Sequence, residues 1–475
     1  MAVNVPLYET LASRITNLID KGTLRAGQRI PSVRKLSTQY QVSVSTVLQA
    51  YQKLESRSLI QARPQSGYYV RPRPQAKAAE PEMSAPANAP RAVSVSDLVM
   101  RVVHAARDPA IVPLGAAVGS VELAPMKQLN RILGQVARRF TKLSHGYEFP
   151  PGNELLRVQI ARRMMEAGCA LSPADIVVTC GTQEAVNLCL RAVTKPGDTV
   201  LIESPTFYGL LQTIESLHLR ALEVPTHPRT GICMDHLART IRKTRVNACL
   251  LSTNFSNPLG SSMPDENKKA LVKMLAQREI PLIEDDIYGE LVFGATRPKA
   301  AKSWDREGLV LYCSSFSKTL VPGYRVGWTA PGKFRDAVDR LKFVNTLANV
   351  SLTQMAVAEF LANGGYERHL RRIRRTYQDC VEHLTRMIVK HFPAETRITC
   401  PGGGFLLWVE LPRGCDALEL HHRAQEHKIS IAPGPIFSAS GKYKNFIRIN
   451  CGLPCSEALD EVIATLGKLA AQQQH

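Results

Sequence analysis

The sequence lacks the features of a membrane or secreted protein. No apolar run among its 475 residues is long enough to span a bilayer, and its first residues lack the pattern of a secretory signal. Its eleven cysteines include no C-x-x-C pair, and their spacings match no metal or redox signature. An odd number of dispersed cysteines is typical of a reducing compartment, so we expect a cytoplasmic protein without a metal site.

Composition and charge indicate a globular chain with more than one domain. Apolar residues make up 44% of the chain and charged residues 21%, and 475 residues exceed one ordinary domain. Residues 1–75 hold eleven Lys/Arg against three Asp/Glu, a net charge of +8, whereas the other 400 residues carry the remaining +11 of the total of +19. This uneven charge favours a polyanionic partner for the amino-terminal part.

The amino-terminal part is predicted to form a winged helix-turn-helix. Apolar residues at helical spacing indicate a first helix that Gly22 ends, and Pro31 is expected in the first turn of a second helix that ends near Tyr40. Ser43 is typical of an N-cap and opens a third helix. Two strand-like runs around a polar turn then form the wing over residues 59–70.

Basic charge and the polar start of the third helix favour double-stranded DNA as the ligand of this module. A recognition helix enters the major groove with its first turn leading, and here that turn offers hydroxyls from Ser43, Ser45 and Thr46. Arg34 on the second helix and Arg63 in the wing are expected to reach the phosphate backbone. The alternative is a protein-binding winged helix with a capped third helix.

The module resembles the GntR-type winged helix-turn-helix. The matching residues are Leu24, Gly27, Ile30, Pro31, Ser32, Arg34, Leu36, Val42, Ser43, Thr46, Val47, Tyr51, Leu54, Leu59, Ile60 and Gly67. The resemblance implies that Arg34, Ser45, Thr46 and the wing glycine Gly67 contact an operator. Val44 departs from the pattern, because some members carry a base-contacting arginine there, so a sequence preference does not transfer.

A Pro/Ala-rich segment follows at residues 72–95. Its five prolines stand among many alanines without apolar periodicity, which predicts a mobile, partly extended linker. The chain is therefore expected to divide into a DNA-binding domain at residues 1–71, this linker, and a larger domain at residues 96–475. Alternating strand-like and helical runs in the larger domain predict an α/β sheet with helices on both faces.

The run around Lys318 is the most informative stretch of the larger domain. A lysine that forms a Schiff base with a phosphorylated aldehyde needs hydroxyls and a guanidinium nearby to hold the phosphate, and Ser315, Ser317 and Arg325 can supply them. The apolar run at residues 308–312 indicates a buried strand that carries the lysine to a sheet edge. Taken alone, the run also fits a loop with ordinary serines and a solvated lysine.

Two turns upstream favour the same chemistry. Gly181 breaks a strand before a helix, so backbone amides around Thr182 and Gln183 can seat a phosphate, although such turns are common. An aromatic side chain after the next strand can stack on a flat heterocycle, with Phe207 favoured over Tyr208. Ordinary core packing explains these rings almost as well.

Three polar residues further along fit the ring of such a cofactor. Asn257 can hydrogen-bond a ring hydroxyl, or simply occupy an Asn-Pro turn. Asp285 ends a buried strand and needs a cation, which a pyridinium nitrogen provides. Tyr288 can donate to the ring oxygen. Asp286 is the competing residue, as a solvent-facing group or a helix cap.

In this order, the residues resemble the pyridoxal 5'-phosphate site of fold-type I, class I and II aminotransferases. The resemblance runs from about residue 110 to the end and implies a large, mostly parallel sheet domain with a smaller α/β subdomain. It includes Tyr147, which matches a tyrosine that reaches the phosphate of the neighbouring subunit, and so implies a homodimer. It also includes Arg448, which matches the arginine that grips a substrate carboxylate. Phe207 stands where many members have tyrosine or tryptophan.

An arginine-rich run occupies residues 368–375. We interpret it as the solvated face of a helix. A second DNA-contacting surface is the alternative, because such a surface attracts phosphate.

The two halves together resemble the MocR subfamily of bacterial transcription regulators. The resemblance implies a regulator that binds pyridoxal phosphate and senses an amine or amino-acid effector through aldimine chemistry at Lys318, which shifts the dimer between states. A working aminotransferase with a DNA-binding appendage is the alternative, since no residue that the chemistry requires is missing. A third hypothesis makes pyridoxal phosphate itself the effector.

Overall fold

The computed structural model contains two compact units that divide after Lys77. It describes residues 6–56, 59–63, 66–71, 78–87, 89–105, 108 and 110–474. No helix within these described ranges is long and apolar enough to cross a membrane.

The amino-terminal unit is a winged helix-turn-helix, which confirms the predicted fold. Its elements are α1 (Leu7–Asp20), α2 (Val33–Tyr40), α3 (Val44–Ser56) and the antiparallel strands β1 (Ile60–Arg63) and β2 (Gly67–Val70). The apolar positions of the three helices pack with Ile60 and Val70 into one core, in which Tyr51 and Leu54 are fully buried. The 3.6-residue period of the apolar side chains therefore accounts for the packing.

The starts of the second and third helices follow from their capping residues. Ser32 caps α2 by accepting a hydrogen bond from the Lys35 amide at 3.3 Å. Pro31 therefore lies before the helix and not in its first turn, where the sequence predicts it, and its carbonyl accepts the Tyr51 hydroxyl. The predicted cap at Ser43 is confirmed, because its Oγ accepts from the Thr46 amide at 3.1 Å.

The second unit is built on a nine-stranded sheet. Its strands, in spatial order, are β3 (Arg91–Ala92), β7 (Arg220–His227), β6 (Thr199–Ser204), β9 (Ala248–Leu251), β10 (Leu282–Asp285), β11 (Val310–Ser315), β12 (Gly327–Ala330) and β5 (Val177–Thr179), with β8 (Gly231–Ile232) paired to β7. Strands β7, β6, β9, β10 and β11 run parallel, whereas β12 is antiparallel to both of its neighbours.

Helices cover both faces of this sheet. The helices of the whole second unit are α4 (Ser96–Ala105), α5 (Met126–Arg139), α6 (Thr141–His145), α7 (Glu154–Met164), α8 (Thr182–Val193), α9 (Tyr208–Ser216), α10 (Met234–Lys243), α11 (Asp265–Ala276), α12 (Arg335–Thr346), α13 (Ser351–Ala362), α14 (Gly365–His391), α15 (Ala417–Glu426) and α16 (Glu457–Ala471). Along β6, Val200 and Ile202 pack with α8 and α9, while Leu201 packs with α10 and α11. The fully buried strands explain why the sequence shows continuous apolar runs rather than alternation.

A smaller sheet lies beyond the large one in the chain. It orders β13 (Arg397–Ile398), β14 (Leu406–Glu410), β17 (Phe446–Asn450) and β16 (Ala432–Pro433), all antiparallel, and a separate parallel pair joins β4 (Val112–Pro113) to β15 (Ile429–Ser430). The predicted combination of a large sheet domain and a smaller α/β subdomain is confirmed.

The described part of the predicted linker lies along the second unit from residue 78 onward. Ser84 exchanges hydrogen bonds with Thr226 at the end of β7, and the Val95 amide donates to Glu215 at 2.9 Å. Strand β3 extends the large sheet at β7. This differs from the expected mobile tether over 72–95, because the open edge of β7 offers partners to an extended backbone.

Helix α14 carries the arginine-rich run. Arg368, Arg371, Arg372 and Arg375 are exposed, in keeping with a solvated helix face. Arg374 is half-buried, and its Nε donates to the Glu290 carbonyl at 2.6 Å. The exposed Arg372 also donates, through Nη2, to the Leu123 carbonyl at 2.6 Å.

Removal of the buried Glu290 carboxylate should destabilise the second unit. Arg163 Nη2 lies 2.6 Å from Glu290 Oε1, and both side chains are 10% exposed. We expect Glu290→Ala to lower the free energy of unfolding by about 3–5 kcal/mol in urea denaturation, because Arg163 loses its buried counter-charge and keeps only the exposed carboxylates of Glu367 and Glu166. The control Glu82→Ala removes an 85% exposed partner of Arg397 and should cost about 1 kcal/mol or less. Equal losses of stability in Glu290→Ala and Glu82→Ala would contradict a stabilising role of the buried ion pair.

The same carboxylate should make the unit sensitive to acid. Burial by itself raises the pKa of Glu290, but Arg163 and Arg297 outweigh burial and lower this pKa to about 2. Since the folded pKa lies below that of the unfolded chain, the stabilisation is present above about pH 4.3 and is lost as the pH falls towards 2. The Glu290→Ala variant should therefore lose less stability than the wild type over this interval.

Candidate functional site

A cleft of ≈ 910 Å³ opens at the carboxyl ends of the parallel strands. Asp285 and Ser315 are the last residues of β10 and β11, and Phe207 follows β6. Most of the predicted cofactor residues line this cleft: Thr182, Gln183, Phe207, Asn257, Asp285, Tyr288, Ser315, Ser317, Lys318 and Arg325. Parallel strands end at one edge, which explains how residues far apart in sequence meet there.

Lys318 lies in the turn after β11 with its amino group inside the cleft. Its Nζ donates a hydrogen bond to the Ala117 carbonyl. Burial, with help from Arg448 and Arg325, lowers the pKa of Lys318 to about 8, although Asp285 acts in the opposite direction. The neutral amine, which is the form that attacks an aldehyde, is therefore more populated near neutral pH than it is for an ordinary lysine.

Asp285 and Asp286 occupy different environments. The Asp286 carboxylate is buried and accepts from Arg297 at 2.7 Å, Tyr312 at 2.9 Å and Asn254 at 3.0 Å. Asp286 is thus neither solvent-facing nor a helix cap. Asp285 faces the cleft, and its Oδ1 has no hydrogen-bond partner among the described residues. Burial and the neighbouring Asp286 raise the pKa of Asp285 to about 7.

Tyr288 and Asn257 are two further polar residues that line the cleft. The Tyr288 hydroxyl is buried and makes no hydrogen bond within the part of the chain that the structure describes, and burial raises the pKa of Tyr288. Asn257 Oδ1 accepts from Arg448 Nη1 at 3.0 Å, so the Asn-Pro turn also orients a charged group. Asn257 also lines the cleft, and its side-chain amide carries two N–H donors.

Arg448 sits in the middle of β17 with its side chain fully buried. Besides Asn257, its guanidinium donates through Nη2 to the Gly115 carbonyl. Its Nε is buried without a partner in the described ranges. A buried guanidinium with donors only partly used can bind a carboxylate in a bidentate manner.

Gly181 and Arg325 meet at one end of the cleft. Gly181 has a φ of 79°, and a Cβ there would lie 2.6 Å from Arg325 Nη2. Arg325 itself has a φ of 53°, and its Nη2 donates to the Cys180 carbonyl at 2.9 Å. Only glycine permits this approach of the guanidinium to the start of α8, where backbone amides and the helix dipole favour an anion.

The side chains of Gln183 and Phe207 have structural contacts as well. Gln183 Nε2 donates to the Gly209 carbonyl at 2.8 Å, so its side chain fastens α9, and only its backbone is left for a phosphate. The half-buried Phe207 ring lies 4.6 Å from the ring of Tyr208 and lines the cleft. Phe207, which the sequence favoured over Tyr208, is therefore the ring that faces the cleft.

Tyr147 lies apart from the cleft of its own chain. Its side chain is 74% exposed, and its ring centroid is 5.7 Å from that of Phe149.

The segment at residues 115–119 is the part of the site that the sequence did not reveal. The Ala117 carbonyl accepts the Lys318 amine, and the Gly115 carbonyl accepts Arg448. Ala117 and Val118 also line the cleft. These contacts use backbone atoms of small residues, which leave no chemical signature in the sequence.

The cleft fits pyridoxal phosphate on the evidence of its own polar atoms. The buried, unpartnered Asp285 Oδ1 and Tyr288 hydroxyl would each be satisfied by a ring heteroatom. The Gly181 turn with Arg325, Ser315 and Ser317 supplies amides, a guanidinium and hydroxyls of the kind that hold a phosphate.

The first turn of α3 forms an exposed polar surface in the amino-terminal unit. Ser43 Oγ lies 2.7 Å from Ser45 Oγ and 2.8 Å from Thr46 Oγ1, and Ser43 and Ser45 are exposed. Arg34 is exposed on α2. The side chain of Arg63 lies outside the described residues.

Arg29 precedes α2 in the chain but lies beside the wing, a position that the sequence did not indicate. Gly67 has a φ of 103°, and a Cβ there would lie 3.2 Å from Arg29 Nε. The exposed Arg29 pairs with Tyr69 through a β-bridge. Gly67 thus leaves room for a guanidinium beside the wing.

Comparison with known proteins defines the class of this chain. The family described as bacterial regulatory proteins, gntR family, matches residues 7–70, and aminotransferase class I and II matches residues 126–466. The chain belongs to the aminotransferase class I and II family and carries a GntR-type helix-turn-helix domain before it. This organisation is that of the MocR subfamily.

Similar proteins share this organisation over nearly their whole length. YjiR, an uncharacterized HTH-type transcriptional regulator of Escherichia coli (strain K12), is 42% identical over 97% of this chain and 98% of its own length. YdcR, another such regulator of the same strain, is 42% identical over 98% of this chain and 99% of its own length.

A solved structure is similar to the larger part of the chain. LysN, an alpha-aminoadipate aminotransferase from Thermus thermophilus solved with N-(5'-phosphopyridoxyl)-L-leucine, is 27% identical with a TM-score of 0.73, covering 80% of this chain and 99% of LysN.

The two charged residues near Lys318, Asp285 and Arg448, should shift the pKa of its amine in opposite directions. In cofactor-free protein with ¹³C-methylated lysines, we expect NMR to show Lys318 titrating near pH 8, below an ordinary lysine. Asp285→Asn should lower this pKa further, because a stabilising anion is lost. Arg448→Met should raise it, because a repelling cation is lost. Shifts of the same sign in both variants would contradict the assigned electrostatics.

Proposed function

We propose that this chain is a transcription regulator that binds pyridoxal phosphate and uses it to sense an amine or amino acid. The observation that carries the proposal is the pair of unpartnered buried groups, Asp285 Oδ1 and the Tyr288 hydroxyl, in the same cleft as a lysine of lowered pKa. Unpaired buried polar groups are costly and mark a site built for a ligand.

Each residue of the cleft has a role that follows from its chemistry. The cofactor, when bound, supplies an aldehyde that reacts with amines and a ring that withdraws electrons. The Lys318 amine is the nucleophile that holds the aldehyde. Asp285 pairs with the ring nitrogen, and Tyr288 with Asn257 donates to the ring oxygen. Arg325, with the hydroxyls of Ser315 and Ser317, holds the phosphate.

Arg448 supports an effector that carries a carboxylate. Its guanidinium is fully buried, yet Nε is unpartnered and Nη1 is only engaged with the neutral Asn257 amide. A buried cation without a counter-ion favours an anionic ligand. An α-amino acid would present its carboxylate to Arg448 and its amine to the position of Lys318.

An exposed aromatic surface supports a homodimer. The rings of Tyr147, Phe149 and Phe343 follow one another with centroids 5.7 and 6.0 Å apart, and Val344 and Val350 beside them are 79% and 67% exposed. Contiguous exposed apolar groups of this kind are typical of an interface. We propose that it pairs two copies of the chain and brings Tyr147 to the phosphate of the other copy.

The amino-terminal unit supports binding to a double-stranded DNA operator. The hydroxyls of Ser43, Ser45 and Thr46 lead α3 into the major groove, while Arg34 and the wing contact phosphates. A DNA-binding regulator of bacterial type acts in the cytoplasm, where we place this protein.

A functional aminotransferase is the second candidate. Lys318, Asp285 and Arg448 supply the nucleophile, the ring partner and the carboxylate clamp that transamination requires. The two candidates differ in turnover: product formation from an amino acid and a 2-oxo acid, retained in a variant without residues 1–71, favours the enzyme. A change in operator affinity upon addition of the amino acid favours the regulator.

Borohydride reduction should attach the phosphopyridoxyl group of the cofactor to Lys318. We expect peptide mass spectrometry of the reduced protein to find the label there at near-stoichiometric yield. Lys318→Ala should carry no label, whereas Lys333→Ala, which changes an exposed lysine, should be labelled like the wild type. Label spread over surface lysines would overturn the site assignment.

Arg34→Ala should weaken DNA binding broadly. We expect the slope of log K against log salt, from fluorescence anisotropy with double-stranded oligonucleotides of different sequence, to fall by about 1, because one phosphate contact is lost. The control Arg14→Ala changes an exposed arginine of α1 and should keep the wild-type slope. An unchanged slope in Arg34→Ala would show that the proposed DNA-binding surface is wrong.

A further inference from the structure

Two cysteines from distant parts of the chain meet in the second unit. Cys380 lies on α14, and Cys455 lies in the loop between β17 and α16. Their sulfur atoms are 3.1 Å apart. A disulfide has a sulfur–sulfur distance of about 2.05 Å, so side-chain movement of about 1 Å would join them.

The two thiols differ in access and acidity. Cys455 is exposed, whereas Cys380 is buried beneath it. The hydrogen bond between the thiols, with His383 nearby, lowers the pKa of Cys455 to about 7. An accessible thiolate beside a second thiol is the arrangement of a redox-sensitive pair, because the thiolate attacks an oxidant and the second thiol resolves the product.

Other cysteines lack this combination. Cys189 and Cys313 have sulfurs 3.7 Å apart, but both are buried in the core of the large sheet, and burial raises the pKa of Cys313. Cys400 is the other exposed cysteine among the described residues. Proximity and access coincide at Cys380 and Cys455.

We propose that Cys380 and Cys455 form a reversible disulfide when the protein meets a hydroperoxide. The Cys455 thiolate attacks the peroxide, the O–O bond breaks, and a sulfenic acid forms as the leaving oxygen takes a proton. The Cys380 sulfur then attacks the Cys455 sulfur, and the S–S bond forms as water leaves. With hydrogen peroxide, two thiols are oxidised and one peroxide is reduced to two waters.

The loop that carries Cys455 contacts the segment at residues 115–120. The Ser120 amide donates to the Gly452 carbonyl at 2.8 Å, and Asn450 Nδ2 donates to the Val118 carbonyl at 2.9 Å. A Cβ on Gly452 would lie 3.0 Å from the Gly119 Cα, so the two backbones touch. The disulfide would therefore restrain a loop that packs on the wall of the cleft.

Helix α14 contacts the same segment. The hydroxyl of Tyr377, one turn before Cys380, packs against Gly119, since a Cβ there would clash with it. The Cys380 thiol also reaches the Leu453 carbonyl at 3.3 Å. Oxidation would tie together two elements that hold the segment whose Ala117 carbonyl accepts Lys318. This consequence rests on the proposed function of the cleft, whereas disulfide formation does not.

The test of the pair uses the full-length protein in its reduced state. After brief treatment with stoichiometric hydrogen peroxide and quenching with iodoacetamide, we expect peptide mass spectrometry to find Cys380 cross-linked to Cys455 and released by dithiothreitol. Cys400→Ser should form the same cross-link. Cys380→Ser should instead accumulate oxidised Cys455, and Cys455→Ser should leave Cys380 as a thiol. Equal alkylation of Cys455 with and without peroxide would overturn the proposal.

The effect on the cleft is measured with pyridoxal phosphate alone as the probe. We expect oxidation to slow the release of the cofactor about fivefold or more in the wild type, at the low end of allosteric coupling, and to have no effect in Cys455→Ser. Equal release rates in the cross-linked and reduced wild type would overturn the link to the cleft. Failure of both forms to bind the cofactor would instead overturn the proposed function.

Discussion

The second unit depends on holding three ionisable groups, Lys318, Asp285 and Arg448, in buried or half-buried positions at or beside one cleft. Lys318 and Asp285 line the cleft, and Arg448 is buried against Asn257, which also lines it. Asp285 Oδ1 and Arg448 Nε have no hydrogen-bond partner in the described chain. Burial brings the pKa of Lys318 down to about 8 and that of Asp285 up to about 7, so each group gives up its charge more easily than in water. The surrounding structure must supply the stability that this arrangement costs.

A second layer of ion pairs provides that support. Asp286 follows Asp285 directly, and its bonds to Arg297 and Tyr312 anchor the end of β10. Glu290 is held in the same way by Arg163. Buried pairs of this kind are tolerated where further hydrogen bonds accompany the ion pair, as they do at both carboxylates. Because they fix the strand ends, the groups of the cleft keep their positions without partners of their own.

Regulation and transamination would draw on the same cleft, so its residues alone do not separate them. A regulator additionally needs contacts between the cleft and the part of the chain that leads to the helix-turn-helix domain. Ser84 donates its hydroxyl to the Ser204 carbonyl at 2.5 Å, three residues before Phe207. The chain that continues from the helix-turn-helix domain therefore contacts the strand that leads to Phe207 in the cleft. On the side of Arg448, the Gly452 carbonyl after β17 accepts a hydrogen bond from the Ser120 amide, next to the segment at residues 115–119.

The sequence by itself determined the fold class, the order of the two domains and most side chains of the cleft, because helical and strand periods and chemically distinctive residues are local. It favoured Asp285 over Asp286 for the cleft but did not give the partners of Asp286, since only the packing of β10 brings that carboxylate to Arg297. The backbone carbonyls of Gly115 and Ala117 carry no side-chain signature. Arg29 lies beside the wing because its backbone bridges to Tyr69 and Gly67 leaves room for its guanidinium. Cys380 and Cys455 are 75 residues apart, so their contact exists only once α14 packs beside the loop after β17. Tertiary structure decided these features because each depends on distance in space and not on spacing along the chain.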